Sequence, residues 1–322
     1  MTRSTALAIL VLGGSILAGC GSSSDRAQRL TLAALGVKAS PPAASVASSA
    51  SPPCGDVTAS LRPPAAMPVP RAMPGGSFMA RIVLRGYLIA GVDQNTLLFA
   101  YFNPLDRQPE GFEIDLLHEL ARAIFGDPSR IEFKAITTAE RIPAVQDGTV
   151  DVVADAVTTT CQRRQKVDFS TVYFDAGQRV LVRSDVAVST VKDLAGKRVC
   201  ATINSTSIQN IERLVPRAIR APVAQRTDCL VALQQGRVDA ITSDDAILLG
   251  FQAQDPYTKI VGARLEDEPY AMAISQRHPD FVRFVNGVLS QMRADGAWRS
   301  IYSRWLGRFA RTPAPPTAHY LR

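Results

Sequence analysis

Histidine is scarce in this chain, three in 322 residues, and tryptophan scarcer still at two. No CxxC or paired histidine is present, so a zinc site of the usual spacing has nothing to be built from. His118-Glu119 lacks a second histidine where HExxH needs one, GxSxG is absent, and no glycine-rich phosphate cradle occurs. These gaps exclude the common metalloprotease, hydrolase and kinase signatures, and no metal or cofactor is expected. Beyond the amino terminus no stretch approaches ~20 uninterrupted apolar residues, so none is a candidate membrane-spanning helix. The net charge of +7 is spread over scattered basic residues. That pattern reads as a solvated surface and not as a nucleic-acid footprint.

What is present begins with an export signal. Met1 to Arg3 carry a positive charge, and Ser4 to Ala18 form an apolar stretch too short to span a bilayer. Residues 1–19 therefore read as a signal peptide. Leu17-Ala18-Gly19-Cys20 resembles the bacterial lipobox, which implies lipidation of Cys20 and attachment to the outer face of the cell membrane through that lipid alone. Residues 20–53 are rich in Ala, Ser and Pro and hold too little apolar surface to offset the entropy of ordering, so a disordered tether is expected. The tail from Thr312 to Arg322, with Pro313, Pro315 and Pro316, reads as equally unstructured.

Four cysteines remain, Cys54, Cys161, Cys200 and Cys229, an even number in an exported chain and hence disulfide candidates. Three pairings are formally open. Cys200 in an apparent strand and Cys229 in a nearby helix favour pairing within one lobe, which leaves Cys54 with Cys161 to fasten the end of the tether.

The body of the chain alternates short apolar runs with amphipathic segments, as an α/β protein with largely parallel strands does. Leu88 to Val92 reads as a strand. Ile114, Leu117, Leu120, Ala121, Ile124 and Phe125 recur at helical spacing until Gly126 and Pro128 stop them. Ala144 to Asp151 (AVQDGTVD) and Ala232 to Asp239 (ALQQGRVD) echo each other, each running from a helix end through glycine into a buried strand. Two such units imply two lobes built alike.

From about Leu84 to Gly307 the chain resembles family 3 of the bacterial extracellular solute-binding proteins, the polar-amino-acid binders that feed ABC importers. The carrying pieces are Gly111-Phe112-Glu113-Ile114-Asp115-Leu116, Thr158-Thr159-Thr160-Cys161-Gln162-Arg163 with Asp168-Phe169-Ser170, and Ala240 to Leu249 with Asp244-Asp245. Asp295-Gly296-Ala297-Trp298, Ile301-Tyr302 and Trp305 close the series. With its lipobox and Pro-rich flanks the chain is most similar to actinobacterial glutamate- and glutamine-binding lipoproteins. The resemblance implies a two-lobed periplasmic-binding-protein-like fold of type II, each lobe a mainly parallel sheet flanked by helices. Lobe 1 is expected over 54–178 plus 273–311 and lobe 2 over 179–272, with hinge strands near Gly177 to Val182 and Pro269 to Ala273. A monomer is expected, carrying a small-molecule amino acid to a membrane permease.

Matched residues acquire roles from the chemistry of a free amino acid. Arg163 can grip a carboxylate with two parallel hydrogen bonds, which lysine cannot. Thr158 adds a hydroxyl and an amide. Asn204-Ser205-Thr206-Ser207 opens a helix, with Thr206 and Gln209 spaced as a capping box, so Ser205 and Thr206 sit where free amides make a carboxylate cradle. Many relatives have glycine at the Asn204 position, which suggests a less open turn. Asp244, at the carboxyl end of a strand, is the partner for the ligand ammonium, and Asp245 the cap of the next helix. Asp93 faces the ligand side chain, where an acid favours an amide or ammonium. Phe99 or Tyr101 would wall the aliphatic stem, Thr138 replaces an aromatic of some relatives, and Arg141 or Gln178 would receive a side-chain carboxylate or amide. Glutamate, glutamine, aspartate and asparagine all stay open. The alternatives are a lipoprotein sensor feeding a signalling receptor, a cell-wall lipoprotein with a dead cleft, and a dehydratase with Glu113 or Asp93 as general acid.

Overall fold

The structure, a computed structural model, describes residues 54–321. The signal peptide, Cys20 and the tether over 20–53 lie outside these residues.

Two sheets carry the fold, and they repeat one plan. In the first, Leu88–Val92 is flanked by Ile131–Ala135 and Val152–Val153, all parallel, and Ala273–Ile274 then runs antiparallel between Val152–Val153 and Asp168–Phe169. In the second, Arg198–Thr202 is flanked by Ile219–Val223 and Ala240–Asp244, again parallel, and Phe174–Arg183 runs antiparallel between Ala240–Asp244 and Thr258–Val261. Each lobe therefore orders its own strands second, first, third and fourth, with a strand from the hinge inserted before the fourth. Among the described residues no helix is long and apolar enough to cross a membrane.

The sequence echo marks corresponding corners of the two lobes. Gly148 and Gly236 both adopt left-handed φ, 81° and 67°, where a side chain would strain the turn. The aspartate that ends each echo performs the same task twice. Asp151 donates its amide to the Ile89 carbonyl and accepts the Ile89 N–H on its carboxylate (2.8 Å), while Asp239 does so with Arg198 (2.8 and 2.7 Å). Each also pairs with an arginine, Arg85 or Arg198. The third strand of each lobe is thus pinned to the first just where the chain enters the sheet.

The chain crosses between lobes on Phe174–Gly177 and returns on Asp267–Tyr270, which pair antiparallel with one another. This lies a few residues before the crossings expected at Gly177 to Val182 and Pro269 to Ala273. Phe174–Arg183 is one unbroken ten-residue strand that changes partners midway, so pairing register and not a breaker residue sets the boundary. Beneath the hinge, Phe99, Phe112, Tyr173, Phe174, Tyr270, Trp298 and Tyr302 form one aromatic cluster, with the Trp298 indole donating to the Tyr173 carbonyl.

Both disulfides form as expected, Cys54–Cys161 and Cys200–Cys229, closing separations of 107 and 29 residues. In the chain-entropy account these contribute roughly 4 to 5 and roughly 3 to 4 kcal/mol. The expectation of an unstructured tail is corrected over residues 312–321. Pro316 is buried, Ser60 exchanges backbone hydrogen bonds with His319 and Leu321, and Arg293 Nε donates to the Pro316 carbonyl. Proline bars a helix, but an extended strip bonds through the proline-free positions 319 and 321. Arg164 donates to the Val57 and Ala59 carbonyls and holds the strip's partner segment.

Asp151 is almost wholly buried whereas Asp239 is half-buried. Asp151→Ala should therefore destabilise by about 2 to 3 kcal/mol and Asp239→Ala by about 1 kcal/mol or less, since only the first strands an amide away from water. Urea unfolding of the two variants side by side measures the difference; equal losses would refute the assignment.

Candidate functional site

Arg163 sits on a single helical turn, Cys161–Arg164, whose N-cap Thr160 accepts the Arg163 N–H at 3.2 Å. The Cys54–Cys161 disulfide pins that turn at its first residue. From there the guanidinium reaches across: Nη1 donates to the Thr158 carbonyl of the first lobe (2.7 Å) and Nη2 to the Asn204 carbonyl of the second (3.5 Å). Burial lowers its pKa to about 10, so it stays charged at neutral pH. It lines a cavity of about 280 Å³, with Thr138, Arg141, Lys166, Asn204 and Gln209 around it, at the small end of small-molecule sites.

The second lobe meets it through the turn at Asn204, whose φ of 58° is one that asparagine tolerates. Ser205, and not Thr206, is the N-cap: its hydroxyl accepts the Ile208 N–H and donates to the Thr202 carbonyl. With Ser205 as the cap the third helical residue is Ile208 and not Gln209, so the expected capping box does not form and the Thr206 hydroxyl is free of the helix end. Thr206 and Thr158, the two hydroxyls expected to cradle a ligand carboxylate, both donate to the Glu268 carboxylate. Glu268 belongs to the returning hinge strand, which also accepts the Thr159 amide and bridges Thr158 through Tyr270.

Asp244 ends its strand as expected, fully buried, accepting the Tyr270 hydroxyl on Oδ2 while Oδ1 has no hydrogen-bond partner among the described residues. Burial raises Asp244 to about 6 and Glu268 to about 7, and each carboxylate acts on the Arg163 charge. Asp245 is not the cap of its helix but its first residue, the N-cap position being Asp244; it accepts the Gly177 and Ala246 amides and pairs with Arg264.

At the other end of the cleft the structure departs from expectation. Asp93 is not free to face a ligand: Arg226, the first residue of a second-lobe helix, donates to Asp93 Oδ2 (2.8 Å), Thr96 Oγ1 (2.8 Å) and Asp155 Oδ1 (2.7 Å). Arg141 Nε takes the other oxygen of Asp155 at 2.7 Å. Phe99 is no cleft wall but a fully buried member of the aromatic cluster, because its loop tucks under Gly111. Tyr101 turns outward to Glu110. Gln178 is spent within the second lobe on Ser207, Thr242 and Asn210. Glu113 is buried on the Ala156 amide and the Tyr173 hydroxyl, away from the cavity.

Sequence reading missed Arg226, Asp155 and Glu268. Arg226 did leave a signal, since a cation in the first turn of a helix opposes the macrodipole and calls for an anionic partner. Glu268 left none, as its role depends on hinge pairing.

Compared with known proteins, residues 88–308 match the model of the bacterial extracellular solute-binding proteins, family 3. The chain is 36% identical over 220 residues to the ABC transporter glutamine-binding protein GlnH of Bacillus subtilis, covering 68% of this chain and 81% of that one. It is 36% identical over 210 residues to a glutamine-binding protein of Geobacillus stearothermophilus (65% and 80%). Among solved structures, an ancestral arginine-binding protein bound to glutamine superposes with a TM-score of 0.65 at 32% identity, covering 69% of this chain and 99% of that one.

Glu113 supplies a pH test. Burial raises its pKa from 4.5 to about 7, so its stabilisation is complete below about pH 4.5 and is lost as pH rises through 7. Thermal melts from pH 5 to 8 should show a downward slope, to which this one group adds up to about 1.4 kcal/mol per pH unit. Glu113→Gln should flatten the slope, and an unchanged slope would show that Glu113 titrates normally.

Proposed function

Since the chain belongs to family 3 of the bacterial extracellular solute-binding proteins, which are binders and not enzymes, we propose that its cleft captures one polar α-amino acid for an ABC importer. One observation carries this reading: the Arg163 guanidinium lines the interlobe cavity and is held by a carbonyl from each lobe. A ligand carboxylate takes two parallel hydrogen bonds from that fork, more than the two neutral carbonyls offer together. The Thr158 and Thr206 hydroxyls turn from Glu268 toward it, and the vacant lone pairs of Asp244 Oδ1 receive the ammonium. Opposite charges on opposite lobes then hold the cleft shut, and ligand shifts the population toward the closed form about the hinge.

Glutamine is the first ligand to test, because the relatives that match at 36% are named for it; glutamate, aspartate and asparagine share the same main-chain grip. Lipid on Cys20 anchors the protein outside the cell, where a permease reads the closed form.

Calorimetry on Arg163→Ala should show affinity for glutamine lowered by at least about a hundredfold, about 3 kcal/mol, with the fold intact. Thermal shifts of the full-length protein across the common amino acids should rise with the logarithm of ligand excess. Unaltered affinity in the variant discards the carboxylate assignment, and a flat panel discards the function. Cys20→Ser should move the protein from the detergent to the aqueous phase on partitioning; retention in detergent refutes the anchor.

A further inference from the structure

The far end of the cleft holds four charged groups in one buried knot. Asp93 and Asp155 follow the first and third strands of the first lobe, and Arg141 comes from the same lobe. Arg226 comes from the second, where it opens the helix Arg226–Gln234. All four are nearly inaccessible, with side-chain exposures of 3% for Asp93, 1% for Asp155, 5% for Arg141 and 4% for Arg226. The Arg226 guanidinium donates to both carboxylates, to the Thr96 hydroxyl and, from Nη2 at 3.3 Å, to the Asp155 carbonyl. Nearby the second-lobe helix Asp245–Gln254 touches the first lobe so tightly that a Cβ on Gly250 would lie 2.7 Å from the Leu97 carbonyl.

We propose that Arg226 is the specificity-determining residue of the site: its guanidinium occupies the acidic subsite that would otherwise accept a cationic ligand side chain. The argument rests on the cleft being an amino-acid site. Two carboxylates face two guanidiniums, so the knot is neutral as it stands. A lysine or arginine side chain arriving there brings a third positive charge into a region shut off from water, or must evict Arg226 from its contacts. Either is costly, because a buried charge without a partner is strongly unfavourable. An uncharged amide side chain asks for no such exchange. Asp93, read from sequence as an attractant for ammonium groups, is therefore already satisfied from within. The position of Arg226 supports a dedicated role: a cation at a helix N-terminus is disfavoured by the macrodipole, and here the contacts across the cleft offset that.

The test is to remove the internal guanidinium and offer an external one. Full-length wild-type protein and Arg226→Gly are titrated by calorimetry with L-glutamine, L-arginine and L-citrulline, the last matching arginine in shape without its charge. Wild type should bind glutamine and not arginine. Arg226→Gly should bind arginine at least tenfold more tightly than wild type does, and more tightly than it binds citrulline. Arg226→Gln, which keeps amide donors for Asp93 and Asp155, is the second variant should glycine prevent folding, and it too should gain arginine affinity. A folded variant that gains none, or one that takes citrulline as well as arginine, overturns the proposal and leaves Arg226 a structural bridge. A wild type that binds no amino acid at all instead overturns the function on which it rests.

Discussion

The guanidinium of Arg163 touches both halves of the molecule, and the rest of the site is arranged around keeping it charged, partly buried and reachable. A guanidinium suits this because it does not lose its proton even where burial draws its pKa down to about 10. Around it the protein places acids whose own ionisation is made difficult by burial, Asp244 and Glu268, while Arg141 and Lys166 add further positive charge to the cavity lining. In the proposed function an incoming zwitterion answers both sides at once.

The architecture behind this is economical. Two copies of one sheet plan face each other, and each presents the carboxyl ends of its strands to the gap, where α/β sheets place ligands. The hinge is not a loop but a pair of antiparallel segments, Phe174–Gly177 and Asp267–Tyr270, one of which carries Glu268 and Tyr270 straight into the site. The hydrogen bonds of Thr158, Thr206 and Asp244 therefore run to the same strand that joins the lobes.

Much of this could be read from the chain before any coordinates. The echo at Gly148 and Gly236, the strand-terminal Asp244 and both cystines obey local rules of periodicity, strand ending and cysteine pairing. What escaped was set by contacts distant in sequence. Phe99 looks like a candidate wall until its packing on Phe112 and Phe174 is seen. Asp93 and Arg226 lie 133 positions apart, and no spacing rule connects them. The ordered tail likewise depends on a partner segment near Ser60, so its prolines alone suggest disorder.

The Cys54–Cys161 bridge has a mechanical meaning. Residues before Cys54 lead toward the amino terminus, and the first covalent cross-link they meet is on the very turn that presents Arg163. Tension arriving along that leader is borne by sulfur and not by the hydrogen bonds of residues 54–61, so the leading edge cannot peel away. Any such load is delivered within one helical turn of the Arg163 guanidinium, so the outermost cross-link and the cavity's central cation share one short element.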